Sequence, residues 1–450
     1  MPIEVIGGSV VSKLARRTRV AALTLATVAA LGLTACSGNG AVSSEAESNS
    51  VDAGLATRID EAVASAMQQS GSTEAIVGVW TGSAGEYVHS YGEGLSANAL
   101  IRGAQATQPV MCALLLELVA DGTVSLDREV AADVSRQVGI EGITYGQLCT
   151  AQSGLADYKS RIGDIFVNNP TRPWSDRELL AQGLAHSPLS WPGLDVHPSD
   201  TDTLLLARAL HQVTGQSIPD LLESRVFGKA NMPASYFPRD VLADVSLPGN
   251  SLTGLTYPAA GGVPQCEVGV VEVAEVSPSM LGGAGATVTT VTNLKNFYTS
   301  YLGGQFGGAE GAAVIAEARS TTNPTRNEAG EPVGDTEEAA ALIAAAEDPN
   351  GQKWGFGFEK VQSLSGMSGQ MTGTLTAAYR DPATGFSVVV VLNNSSIGAG
   401  FVRTLAFELA AISTEAGVGP AVTWASADFA AARAAAAICQ PAPEEAAPAE

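Results

Sequence analysis

The segment Pro109–Ala120, PVMCALLLELVA, constrains this chain more than any other. Its only charged residue is Glu117, and its apolar side chains fall on every side of a 3.6-residue helix. Pro109 suits the first turn, where a missing N–H leaves no bond unmade. A helix with no polar face has to be enclosed by other elements. The segment is too short to span a bilayer, so it predicts the central helix of a large core. The strands that could enclose it lie at opposite ends of the chain. Ala75–Trp80 and Tyr87–Tyr91 read as strands around Gly82-Ser83-Ala84-Gly85, and Leu375–Tyr379 and Phe386–Asn393 as strands around Asp381-Pro382-Ala383-Thr384-Gly385. Amphipathic helices are expected at 53–69, where Leu55, Ile59, Val63 and Met67 recur every four residues, at 202–214 and 217–227, split by Gly215, and at 398–412. The expected fold class is therefore α/β: a sandwich whose antiparallel sheet is built from both ends of the chain, with a helical domain between.

With 45% hydrophobic and 16% charged residues the chain is globular, not disordered. A net charge of −22 makes nucleic acid a poor partner, since phosphate binding needs clustered cations. The four histidines (His89, His186, His197, His211) are scattered and the five cysteines form no CxxC pair, so neither a metal site nor a cofactor is expected.

Lys13, Arg16, Arg17 and Arg19 precede an apolar run, Val20–Leu33, of signal-peptide length. Leu33-Thr34-Ala35-Cys36 then resembles a bacterial lipobox. That resemblance implies cleavage after residue 35, lipidation of Cys36, and a lipid-anchored, extracytoplasmic location at the cell membrane. Removing 1–35 leaves 20 basic against 45 acidic residues, a net of −25. Residues 36–52 read as a flexible tether, 53–440 as one domain with a helical extension over 413–440, and the Pro/Ala/Glu stretch 441–450 as a disordered tail.

Several stretches, in order, are similar to the serine β-lactamase and penicillin-binding-protein family, closest to its class C and D,D-carboxypeptidase branch. They are Leu100-Ile101-Arg102-Gly103 leading into the apolar helix, Val119-Ala120-Asp121-Gly122 at its end, Ile143-Thr144 through Asp157-Tyr158, Trp191-Pro192-Gly193, Gly282-Gly283-Ala284-Gly285 through Phe297, and the closing hairpin. The resemblance spans about residues 53–412 and implies that family's sandwich fold.

The family's chemistry rests on three motifs, and this chain departs from each. Where S-x-x-K places a serine nucleophile and its lysine base on one helix face, Gln105-Ala106-Thr107-Gln108 stands. A carboxamide neither attacks a carbonyl nor takes a proton at neutral pH. Where Y-x-N supplies a proton-relaying phenol, Pro198-Ser199-Asp200 stands; the adjacent His197 reads as a loop residue. Where K-T-G or H-x-G lines the pocket, Met367-Ser368-Gly369 stands, keeping a hydroxyl and a glycine but not the cation. Backbone donors near Ser368 and Gly369 and the two glutamine amides are left as groups for holding a peptide. No G-x-S-x-G elbow occurs, and Ser153 lies in a segment that is structural in the look-alike family. Cys112 and Cys149 sit in apolar stretches without a neighbouring His or cation.

An extracytoplasmic compartment permits disulfides. The look-alike fold packs the segment of Cys149 near the helix of Cys112, which implies that pair. Cys266 is expected to pin Cys439 at the end of the Ala-rich C-terminal helix. The expected function is a pseudoenzyme that binds a peptidoglycan stem peptide or an envelope protein. The alternative is an active serine hydrolase, a D-alanyl-D-alanine carboxypeptidase, β-lactamase or esterase, and a blander third is a structural envelope protein without a ligand.

Overall fold

A computed structural model describes residues 47–324, 326, 327, 331, 337–348 and 351–440. The expected signal peptide, Cys36, the tether up to residue 46 and the tail from 441 lie outside the described residues. Nine strands form one sheet among the described residues: β1 (Ser48–Asn49), β2 (Ala75–Thr81), β3 (Glu86–Tyr91), β4 (Arg319–Ser320), β5 (Lys353–Trp354), β6 (Glu359–Val361), β7 (Leu364–Met371), β8 (Thr374–Arg380) and β9 (Phe386–Leu392). Their order is β1-β3-β2-β9-β8-β7-β6-β5-β4, with every neighbour antiparallel. The join between the two ends of the chain is β2 against β9, in register from Ala75↔Leu392 to Thr81↔Phe386. Residues 48, 49 and 52, expected in the flexible tether, are instead held in the fold. Ser48–Asn49 pair with β3, Ser48 Oγ donates to Glu86 at 2.7 Å, and Asp52 caps the first helix by accepting from Gly54 N–H at 2.8 Å.

Both faces of the sheet are covered, which is why β2 and β9 read as nearly continuous apolar runs. Period-2 alternation sends Ala75, Val77, Val79, Leu375, Ala377, Val388, Val390 and Leu392 to one face, against α1 (Ala53–Ser70). On the other face Ile76, Trp80, Val389 and Val391 meet the helical domain, with α2 (Pro109–Ala120) at its centre. Leu114, Leu115 and Leu116 of α2 are at most 1% exposed, each contributing about 1.5–3 kcal/mol of burial. Three further elements of the domain position the site: α3 (Tyr145–Cys149), α4 (Asp200–Thr214) and α5 (Val291–Leu302). After β9 the chain adds α6 (Ala399–Glu415) on the α1 face and α7 (Ser426–Ala435) beside it. Arg433 of α7 is buried, giving 2.6 Å bonds to Glu408 of α6 and Gln69 of α1. Cys112–Cys149 joins α2 to α3, and Cys266–Cys439 joins a projecting loop to the segment after α7.

Candidate functional site

The site forms where the chain enters α2. Ala104–Thr107 makes one 3₁₀ turn, braced by Tyr298 Oη donating to the Ala106 carbonyl at 2.8 Å. It abuts the edge of β7, which is open beyond Gly366 because β6 pairs only with Leu364, Ser365 and Gly366. Contact at that edge demands glycine. A Cβ on Gly369 would come within 2.2 Å of the Gln105 nitrogen, and one on Gly285 within 2.6 Å of the Ala104 carbonyl carbon.

Gln105 and Gln108 come together at the start of α2, 6% and 4% exposed. Contrary to the expectation, the Gln105 amide is engaged at both its oxygen and its nitrogen, and the Gln108 nitrogen also donates internally. Gln105 Oε1 accepts from Gln370 N–H at 2.8 Å, and Gln105 Nε2 donates to Asp200 Oδ2 at 2.6 Å. Gln108 Nε2 donates to Thr203 Oγ1 at 2.9 Å. Buried carboxamides satisfy their donors and acceptors internally, and α4 offers Asp200 and Thr203 on one face. Of the backbone donors expected near Ser368 and Gly369, the next one along, the Gln370 N–H, is occupied by the Gln105 side-chain carbonyl. Ser368 also departs from expectation. Strand alternation points it to the α6 side of the sheet, within reach of Tyr379, while Met367 packs into the helical-domain core. Pro198 is exposed, and His197 stays in a loop, its backbone N–H bound to the Ala151 carbonyl at 2.8 Å. Ser153 is 2% exposed and donates to Asp202, so it is held as a structural hydroxyl. Cys112 and Cys149 are bonded to each other.

The cation in the site was missed from sequence. Lys159 Nζ lies 2.5 Å from Asp200 Oδ2 and 3.8 Å from Asp157 Oδ2. Burial opposes its charge, but Asp200 and Asp157 outweigh burial and hold its pKa above the ordinary value. A signal existed: Lys159 is the only lysine between Lys13 and Lys229, and it directly follows the stretch ending Asp157-Tyr158. Burial pushes the Asp202 carboxyl well above the ordinary range, against the Ser153 hydrogen bond. The assembly thus contains an internally bonded carboxamide at Gln105 and a lysine, Lys159, held in its charged form.

A separate cleft of about 680 Å³, lined by none of Gln105, Gln108, Lys159, Asp200 and Gln370, runs past Ile143, Ser153, Leu155, Leu189 and Trp191. Trp191 is 78% exposed at its rim.

A sheet assembled from both chain ends, with a helical domain against its inner face and a buried helix beginning at the site, defines the β-lactamase/transpeptidase-like class of serine hydrolase folds. Residues 59–411 match the Beta-lactamase family, and the chain belongs to it. Solved structures of the same fold include a D-stereospecific amidohydrolase from Streptomyces sp., with 21% identity, TM-score 0.61, and coverage of 76% of this chain and 94% of that one. A D-amino acid amidase from Ochrobactrum anthropi SV3 has 17% identity, TM-score 0.62, and coverage of 81% and 100%. A penicillin binding protein from Bacillus halodurans has 16% identity, TM-score 0.56, and coverage of 74% and 94%.

Proposed function

We propose that this chain is a non-catalytic member of the Beta-lactamase family. In this reading it is anchored outside the cell membrane through a lipid on Cys36, and it binds a peptidoglycan stem peptide or an envelope protein without turning it over. The observation that carries the reading is Gln105. It stands where the nucleophile would be, and its own carbonyl holds the Gln370 N–H that a reacting carbonyl would need. Electrostatic stabilisation of an oxyanion requires such a donor to be free. Gln108 cannot serve as base, and Lys159 is kept protonated by its carboxylates. Recognition falls to the separate cleft, where Trp191 offers an exposed aromatic face and Leu155 and Leu189 an apolar wall. No helix among the described residues is long and apolar enough to cross a membrane; the lipid attachment rests on the lipobox-like Leu33-Thr34-Ala35-Cys36.

The test is intact-mass spectrometry after incubation with a penicillin and with an activated ester, on the wild type and on Gln105→Ser. The expected result is no acyl adduct on either, because the restored hydroxyl still lacks a base. An adduct on any serine of the wild type, or hydrolysis of D-alanyl-D-alanine peptides above a heat-killed control, overturns the reading in favour of an active hydrolase. Thermal shift with muropeptides distinguishes a binding protein from a purely structural one. Anchoring is checked by fractionation: the wild type is expected with the membranes, and Cys36→Ala in the soluble fraction.

A further inference from the structure

Arg102 lies three residues before Gln105, on a short strand leading into the 3₁₀ turn. It is 6% exposed, yet among the described residues it forms no ion pair. Its one side-chain hydrogen bond runs from Nη2 to the Val245 carbonyl at 2.5 Å. A guanidinium carries five N–H donors in a fork suited to a carboxylate. A buried cation without an anion is costly, and burial has already pulled the Arg102 pKa down to about 10, which still leaves it charged at neutral pH.

Arg102 lines a cavity of about 280 Å³, together with Ser246, Thr253, Thr374, Glu272 and Glu275. Thr374 is buried, whereas Glu272 and Glu275 are exposed. A third carboxylate, Glu74, accepts from the Thr253 N–H at 2.7 Å, and burial and Glu272 both raise its pKa. A cavity with a buried cation on its wall and carboxylates at exposed positions excludes a phosphate-like dianion, which the glutamates would repel. It also disfavours a simple carboxylate, which would leave them uncompensated.

We propose that this cavity binds an amino-acid-sized zwitterion, with the ligand carboxylate on the Arg102 guanidinium and its ammonium toward Glu272 and Glu275. The ligand is a free α-amino acid or a dipeptide; the volume is too small for more. The site does not depend on whether Gln105 is catalytically silent.

The experiment is isothermal titration of the full chain with D-alanine, L-alanine and D-alanyl-D-alanine, alongside alanine amide and propionate as single-charge controls. Zwitterions are expected to bind about tenfold or more tightly than either control, the scale of one charge-assisted contact. The tighter of alanine and the dipeptide identifies the source. Glu272→Gln combined with Glu275→Gln, at exposed positions, is expected to weaken zwitterion binding about tenfold without changing Tm. Arg102→Met is expected to abolish it; if that variant fails to fold, the glutamate variant and the controls still decide. Equal binding of propionate and alanine, no effect of the glutamine variant, or no zwitterion binding at millimolar concentration overturns the proposal.

Discussion

Replacing Gln105 tests the central structural argument directly. Its carboxamide links Gln370 of β7 to Asp200 of α4, through bonds of 2.8 and 2.6 Å. Gln105→Met keeps the volume and removes both bonds. Loss of a hydrogen bond to a charged acceptor costs about 1.5–3 kcal/mol, and a stranded backbone donor about 1–3 kcal/mol. Asp200 keeps Lys159, and the methionine gains some apolar burial, so the net expected loss is about 2–4 kcal/mol. Gln105→Glu is sharper. As a carboxylate it cannot donate to Asp200 and sets two like charges side by side, a repulsion of about 4 kcal/mol at an effective dielectric of 20. Protonated, it restores a donor to Asp200 and an acceptor for Gln370. Its folded-state pKa is therefore raised, and its deficit relative to wild type should shrink as pH falls from 7 toward 5. The assay is denaturant unfolding of the three proteins at both pH values, with hydrogen exchange at the Gln370 amide, which should lose protection in Gln105→Met. A methionine variant within about 0.5 kcal/mol of wild type, or a glutamate variant whose deficit ignores pH, would refute the argument.

Asp202 is buried beside Ser153 with its carboxyl raised well above the unfolded 3.8, so its contribution to stability falls as pH rises through the window above 3.8. Asp202→Asn lacks this slope, and the wild type should gain on it as pH is lowered from 7 to 4 in parallel denaturation curves; parallel pH profiles would contradict this. Cys112→Ala with Cys149→Ala opens a link across a sequence separation of 37, worth up to ~4 kcal/mol in the chain-entropy model, and should lower the unfolding midpoint correspondingly. Arg433→Met leaves Glu408 charged and buried, and should cost about 3–5 kcal/mol by thermal or chemical unfolding, loosening α7 from α6; proteolysis at the C-terminal segment reads the loosening.

The architecture was legible because its causes are local. Nearly continuous apolar runs in 75–81 and 386–392 make strands buried on both faces, and PVMCALLLELVA has no face for water. The absence of the three catalytic motifs was legible too, since it depends only on which side chains stand at Gln105, Gln108, Pro198 and Met367. What these residues do was not legible, because each partner lies far along the chain. Gln105 and Gln370 are 265 residues apart, and only the packing of the 3₁₀ turn against the open edge of β7 brings the Gln105 carbonyl onto the Gln370 N–H. Lys159 became part of the site because its segment packs against the start of α4, where Asp200 draws in its ammonium. Ser368 matched the motif by identity but faces the opposite side of the sheet, which only the register of β7 decides. Arg102 reads in sequence as part of a familiar approach to a helix; its lack of an anion is a property of the cavity around it. Periodicity and residue identity belong to short stretches of chain, whereas hydrogen-bond partners, side-chain direction and unpaired charge are set by which distant segments the core brings together.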